Sequence, residues 1–181
     1  AMILGEIYET GRLLGLHTIP VDQNWAVVYY NMAWDICCEA NNTSRITRLK
    51  MAAGFKVKSF SDNGNLYARH FSAVAWEKEG DDKSRVRQFA SAIDAYSTSL
   101  QLERKGAVQA KIEEYLPHAV FEAERFGNDL LLAKQWYATA SKSPDVMMQA
   151  AEIAHTAGET GPAIRLAKVA NRNGSPAARP F

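Results

Sequence analysis

Three observations predict that this 181-residue chain is all-α. Proline is scarce and falls at segment boundaries, at Pro20, Pro117, Pro144 and Pro162, then at Pro176 and Pro180 near the end. No stretch keeps the period-two alternation of a half-buried strand, so a sheet is not expected. Between the boundaries, nearly every segment carries apolar residues at helical spacing, which gives about nine helices.

The first helix is expected over residues 3–16, with Ile3, Ile7, Gly11 and Leu14 on one stripe. Asp22 is placed to cap the second, which runs to about residue 40. That helix is apolar nearly all round, apart from Asn31, Asp35 and Glu39 at i, i+4 spacing. It is expected to be the central and most buried helix, with the polar stripe facing water or a ligand. The polar run at 41–44 is a loop ending in a cap, and the third helix offers Ile46, Leu49, Ala53, Val57 and Phe60 to the core.

A turn at 62–65 leads to a fourth helix over 66–79, Gly80 to a fifth over about 83–104, and a sixth follows over 107–127. Pro117 is expected to kink or split the sixth, because a mid-helix proline loses a hydrogen bond and clashes with the preceding turn. The seventh covers 129–141. Pro144 opens the eighth from a position where its missing N–H costs nothing, and Gly158 ends it. Pro162 opens the ninth, which stops near residue 171, and 172–181 reads as a flexible tail.

Composition narrows the function classes. Hydrophobic content is 47% and charged content 23%, as in ordinary globular proteins. The formal net charge of +1 supplies no global field to drive the chain onto nucleic acid or an acidic membrane. The two cysteines, Cys37 and Cys38, are adjacent on one helix and point about 100° apart, which disfavours a disulfide. Buried inert thiols in a reducing cytoplasm are the expectation. The most apolar stretch, 25–38, is too short to span a bilayer, and no secretion signal is recognised at the start.

The most informative spacing lies within AVAWEKEGDDKSRVRQFASAIDAYSTSL. Trp76 precedes Gly80 by four residues, and Gly80 precedes Ala92 by twelve and Tyr96 by sixteen. A glycine turn between two helices would explain it. The small Ala92 lets the helices approach, while Trp76 and Tyr96 fill the gap between them. The arrangement resembles a tetratricopeptide repeat. The next pair, with Ala123, Gly127, Ala133, Tyr137 and Ala140, looks more like the Sel1-like variant, and a third has Ala154, Gly158, Ala163, Ala167 and Ala170. The resemblance covers roughly 66–171. It implies a right-handed antiparallel helix-pair array, an α-solenoid of the tetratricopeptide kind. The expected organisation is one all-helical domain over 1–171, in which residues 1–60 are either degenerate repeats or a separate cap.

The resemblance also implies where a partner would lie. In tetratricopeptide proteins the first helix of each pair lines a concave groove. The lining positions carried onto this chain are Glu77 and Asp81, Glu124 and Asn128, then His155 and Glu159, with Arg125 at the margin. The row is mainly acidic and lacks the lysine and asparagine of the variant that grips a C-terminal carboxylate. It would suit a basic or amide-rich segment. The alternative is that these are solvated helix positions. Trp76, Tyr96, Trp136 and Tyr137 are expected to be buried and to hold the register.

Other constellations are thin. Glu114, His118 and Glu122 share a spacing, but Tyr115 rather than a glutamate stands three residues before His118, so neither metal nor cofactor is expected. No phosphate-cradling or nucleophile-elbow motif occurs, and no enzymatic function is expected. Arg45, Arg48, Lys50, Lys56 and Lys58 form an acid-free basic run that could contact phosphate or could be a solvated face. The first reading is a cytoplasmic scaffold that binds a protein or peptide. A nucleic-acid-associated regulator is the alternative. A homodimer is one way to cover the apolar first helix.

Overall fold

The computed structural model describes residues 1–13, 17–18, 20–40, 43–126 and 131–174. Among these the chain forms nine helices: α1 (Met2–Thr10), α2 (Gln23–Glu39), α3 (Ser44–Asp62), α4 (Leu66–Arg85), α5 (Phe89–Leu102), α6 (Gly106–Phe126), α7 (Leu131–Ala140), α8 (Pro144–Thr156) and α9 (Thr160–Arg172). The fold is all-α, built from antiparallel helix pairs. It divides into two compact units, Ala1–Ala75 and Trp76–Phe181.

Local signals set several of the ends. Asp22 accepts hydrogen bonds from the N–H groups of Asn24 (2.9 Å) and Trp25 (3.1 Å), and Thr43 does the same for Ile46 (3.3 Å). Pro144 is the first residue of α8, and Gly158 follows that helix at φ 79°.

Other expectations are corrected. The first helix stops at Thr10, where Gly11 turns left-handed at φ 70°. A small antiparallel pairing follows, β1 (Arg12–Leu13) with β2 (His17–Thr18). Two residues per strand are too few to leave a period-two signal. Leu14 lies outside the described residues. The buried side of α1 carries Met2, Gly5 and Tyr8, and Ile3 is 72% exposed. Gly5 decides that register, because a Cβ there would come within 2.7 Å of the Tyr30 ring.

Helix α2 is not buried all round. It packs against α1 and α3 through Ala26, Val27, Tyr30 and Ala33, and it leaves Trp25, Met32 and Ile36 exposed. Asp35 and Glu39 are exposed too, Asn31 donates to Asp35 (3.0 Å), and Cys38 is exposed rather than buried. On α3, Ala53 and Val57 are buried, Phe60 stacks on Tyr30, and Leu49 faces out.

Gly80 does not end a helix. Helix α4 runs through it to Arg85, and the turn comes at Val86–Arg87, with Arg87 at φ 60°. Glycine is needed at 80 for a different reason: a Cβ would stand 2.4 Å from Cε1 of Tyr96. Tyr96 is fully buried on α5, whereas Trp76, expected to share that space, is 42% exposed. Pro117 does not split α6, which continues through it with the ring buried.

The second helix of each pair repeats one pattern, buried throughout except at Tyr137, which is partly buried. A small residue is followed four positions later by a larger or equal one, and three later by another small one. The sets are Ala26, Tyr30 and Ala33 on α2; Ala92, Tyr96 and Ser99 on α5; Ala133, Tyr137 and Ala140 on α7; and Ala163, Ala167 and Ala170 on α9. The spacing puts all three on one helix face, and small groups there allow close approach. In the Trp76–Phe181 unit the pattern gives contiguous cores in which α6 packs against α5, α7 and α8.

Replacing Gly80 by alanine is expected to destabilise the protein by about 1–3 kcal/mol through overpacking against Tyr96. Alanine for glycine inside a helix ordinarily gains roughly 0.5–1 kcal/mol, so the sign is diagnostic. Gly106→Ala, where a Cβ meets nothing within 4 Å, is the control that should lose nothing. Urea denaturation midpoints read both.

Candidate interaction surface

The expected partner-binding row begins on α4, where Glu77 and Asp81 stand one turn apart. Both meet lysines from further along the chain. Lys111 of α6 reaches Asp81 Oδ1 at 2.7 Å and Glu77 Oε1 at 3.1 Å. Lys105 lies 3.7 Å from Glu77 Oε2 and 3.4 Å from Glu103. The Tyr96 hydroxyl donates to Asp81 Oδ1 at 2.7 Å, and the Lys111 ammonium sits 5.3 Å from the centre of the Tyr96 ring. A buried tyrosine needs a partner for its hydroxyl, and Asp81 supplies one.

Electrostatics follow from this geometry. Burial works to raise the Asp81 carboxyl, but the hydrogen bonds from Lys111 and Tyr96 outweigh it and hold the group below its ordinary value of 3.8. Burial works to lower Lys111, and its bonds to Asp81 and Glu77 leave it above 10.5. Burial, together with donation to Asp81, pushes the Tyr96 phenol up to about 12.

The row continues with the same logic. Glu124 of α6 is paired with Arg165 of α9, and Arg125 lies 3.3 Å from Glu159, just before α9. His155 sits in the last turn of α8. Asn128 lies outside the described residues. The acids read from the sequence as a row therefore sit in ion pairs, and the surface alternates in sign. Sequence reasoning missed Lys105, Lys111 and Arg165, which lie about 30 to 40 residues from Glu77, Asp81 and Glu124 and leave no short-range signal of those pairings.

Within the Glu114, His118 and Glu122 spacing, His118 and Glu122 take structural roles. Glu122 accepts from the N–H groups of Phe89 (3.4 Å) and Ala90 (3.3 Å), so a side chain of α6 satisfies the open end of α5. Burial pushes its carboxyl above the usual range against the pull of those bonds. His118 stacks on Phe89 with centroids 4.6 Å apart, and burial lowers its pKa. Among the described residues no three metal-binding side chains come together.

In the other unit, the basic run of α3 separates into different roles. Lys56 binds both oxygens of Glu9, at 2.9 and 2.8 Å, and lies 5.7 Å from the centre of the Tyr30 ring. Tyr30 donates to Glu9 at 2.6 Å. Burial works to raise Glu9, and the Lys56 and Tyr30 bonds bring it below its ordinary value. An open cleft of about 470 Å³ lies over this pair, lined by Ile3, Glu6, Ile7 and Arg12 among others. Lys58 pairs with Asp62 (2.6 Å), and Lys50 lies 4.9 Å over Trp34. Arg45 and Arg48 are exposed.

The Asp81 cluster sets a pH dependence. Because the folded pKa is depressed, its stabilisation is complete above 3.8 and is lost as pH falls through the lower folded value. Lys111 acts in the other direction: its contribution is complete below 10.5 and lost as pH rises beyond its raised value. Asp81→Asn is expected to cost about 1 kcal/mol at pH 7, discounted for partial exposure. It should also flatten the acid limb of urea midpoints measured from pH 7 downward. An unchanged acid limb would show that the cluster is not formed in solution. No protein-family model matches the chain, and neither a curated protein nor a solved structure matches it significantly.

Proposed function

We propose that the chain is a non-catalytic protein-interaction module, a cytoplasmic scaffold of the tetratricopeptide kind. It holds a partner segment against the row formed by Glu77, Asp81, Glu124, Arg125, Asn128, His155 and Glu159. The supporting observation is the set of cross-element ion pairs, Asp81–Lys111, Glu124–Arg165 and Arg125–Glu159, along successive helix pairs. Each pair restrains long side chains before a partner arrives, which reduces the ordering cost of binding. Paired carboxylates keep spare lone pairs for backbone or side-chain amides. The partner this surface suits is an extended, amide-rich segment with charges of both signs, rather than a uniformly basic one.

A second reading, contact with nucleic acid through α3, draws on Arg45 and Arg48. It is weakened by the commitment of Lys56 to Glu9 and of Lys58 to Asp62.

A charge-swapped variant, Glu124→Arg with Arg165→Glu, tests the first reading. It keeps the internal pair, so thermal stability is expected to stay within about 1 kcal/mol of wild type. It inverts the polarity shown to a partner, so species retained by tagged wild type are expected to be lost, as read by mass spectrometry. Equal retention by both proteins would move the binding surface away from the row.

A further inference from the structure

The outward face of α3 combines features that its fold does not use. Ala53, Val57 and Ser61 turn inward. On the opposite side, Arg48, Met51, Phe55 and Lys58 follow one another at spacings of three, four and three, which is a single helical stripe. Met51 is 54% exposed and Phe55 is 66% exposed. One exposed apolar residue needs no explanation, but two on one stripe between cations make a patch. Burying a Phe or Met side chain is worth roughly 1.5–3 kcal/mol, which this face leaves unused.

The charges on this face are placed against the stability of their own helix. Arg45 and Arg48 lie near the N-terminal end of α3, whose first turn holds no acid. The helix dipole disfavours cations there and favours an anion brought alongside. Neither arginine has a carboxylate partner among the described residues. Lys58 is shared with Asp62 in an exposed pair of the kind that contributes little.

We propose that this face docks an acidic amphipathic helix of another protein. Charge complementarity selects the sign: the partner's carboxylates meet Arg45 and Arg48. The three-and-four spacing selects a helix, whose ridges fit such a stripe. Its apolar residues cover Met51 and Phe55, and the adaptable thioether accepts varied shapes. Nucleic acid fits less well. Lys50 and Lys56 are engaged at Trp34 and Glu9, which leaves Arg45 and Arg48 at one end of the stripe and Lys58 about 15 Å from Arg48, with apolar surface between them.

The test uses fluorescence anisotropy with the full chain and a labelled synthetic peptide. The peptide is about 16 residues long, with Leu and Phe at i, i+3, i+4 and i+7 and Glu elsewhere. Its counterpart carries Lys for every Glu. Wild type is expected to bind the acidic peptide and not the basic one. The substitutions Met51→Ser with Phe55→Ser, and separately Arg45→Glu with Arg48→Glu, are each expected to weaken binding about tenfold or more. All four positions are exposed, and circular dichroism checks that the variants fold. Three results would overturn the proposal. One is acidic-peptide binding that is absent or unchanged in both variants. Another is preferential binding of a single-stranded oligonucleotide or of phosphatidylserine vesicles, which assigns the face to phosphate. The last is a wild-type dimer in sedimentation that the Ser variant abolishes, which assigns it to a second copy.

Discussion

A buried tyrosine laid on a helical glycine is the constraint on which most of this structure depends. Among the described residues it occurs once in each unit. Tyr30 covers Gly5 and donates to Glu9, which Lys56 clamps from α3. Tyr96 covers Gly80 and donates to Asp81, which Lys111 clamps from α6. The glycine gives up intrinsic helix stability, and the ring's burial offsets that loss. The hydroxyl cannot be buried without an acceptor, so the carboxylate must be nearby. A carboxylate against buried surface in turn calls for a cation. One packing choice thus fixes three side chains and the spacing of three helices.

That chain of requirements ties fold to surface. In the Trp76–Phe181 unit, the group that satisfies Tyr96 is also a member of the expected binding row. The side chain that neutralises it comes from the next helix pair. The ion pairs therefore connect neighbouring pairs and hold their charges in set positions. A binding surface built this way presents a pattern of both signs, and it discriminates between partners by charge arrangement more than by net charge.

Much of the architecture is readable from local chemistry. Asp22, Pro144 and Gly158 mark helix ends because caps and turns depend on neighbours a few residues away. The clamp is harder to read. Gly80 at four residues from Trp76 fits a terminator as well as a contact, and only Tyr96, sixteen residues on, decides between them. The first pair hides its likeness to the others because the Arg12–Thr18 pairing is inserted in its turn. Twenty-one residues then separate Gly5 from Ala26, against twelve from Gly80 to Ala92. The acids of the row are visible in sequence and their counterions are not, since pairing with Lys111 or Arg165 is made by tertiary packing. Helix α2 misled for a related reason. Its apolar content exceeds what α1 and α3 can cover, and composition cannot say how many neighbours a helix has.

The most direct test of the clamp is a double-mutant cycle on Tyr96→Phe and Lys111→Met, read by urea denaturation. If the hydroxyl, Asp81 and the ammonium act as a unit, the two losses should be non-additive, with a coupling of about 1 kcal/mol. Additivity to within about 0.3 kcal/mol would contradict the account. It would make the tyrosine a packing residue alone and leave the charged row without its anchor.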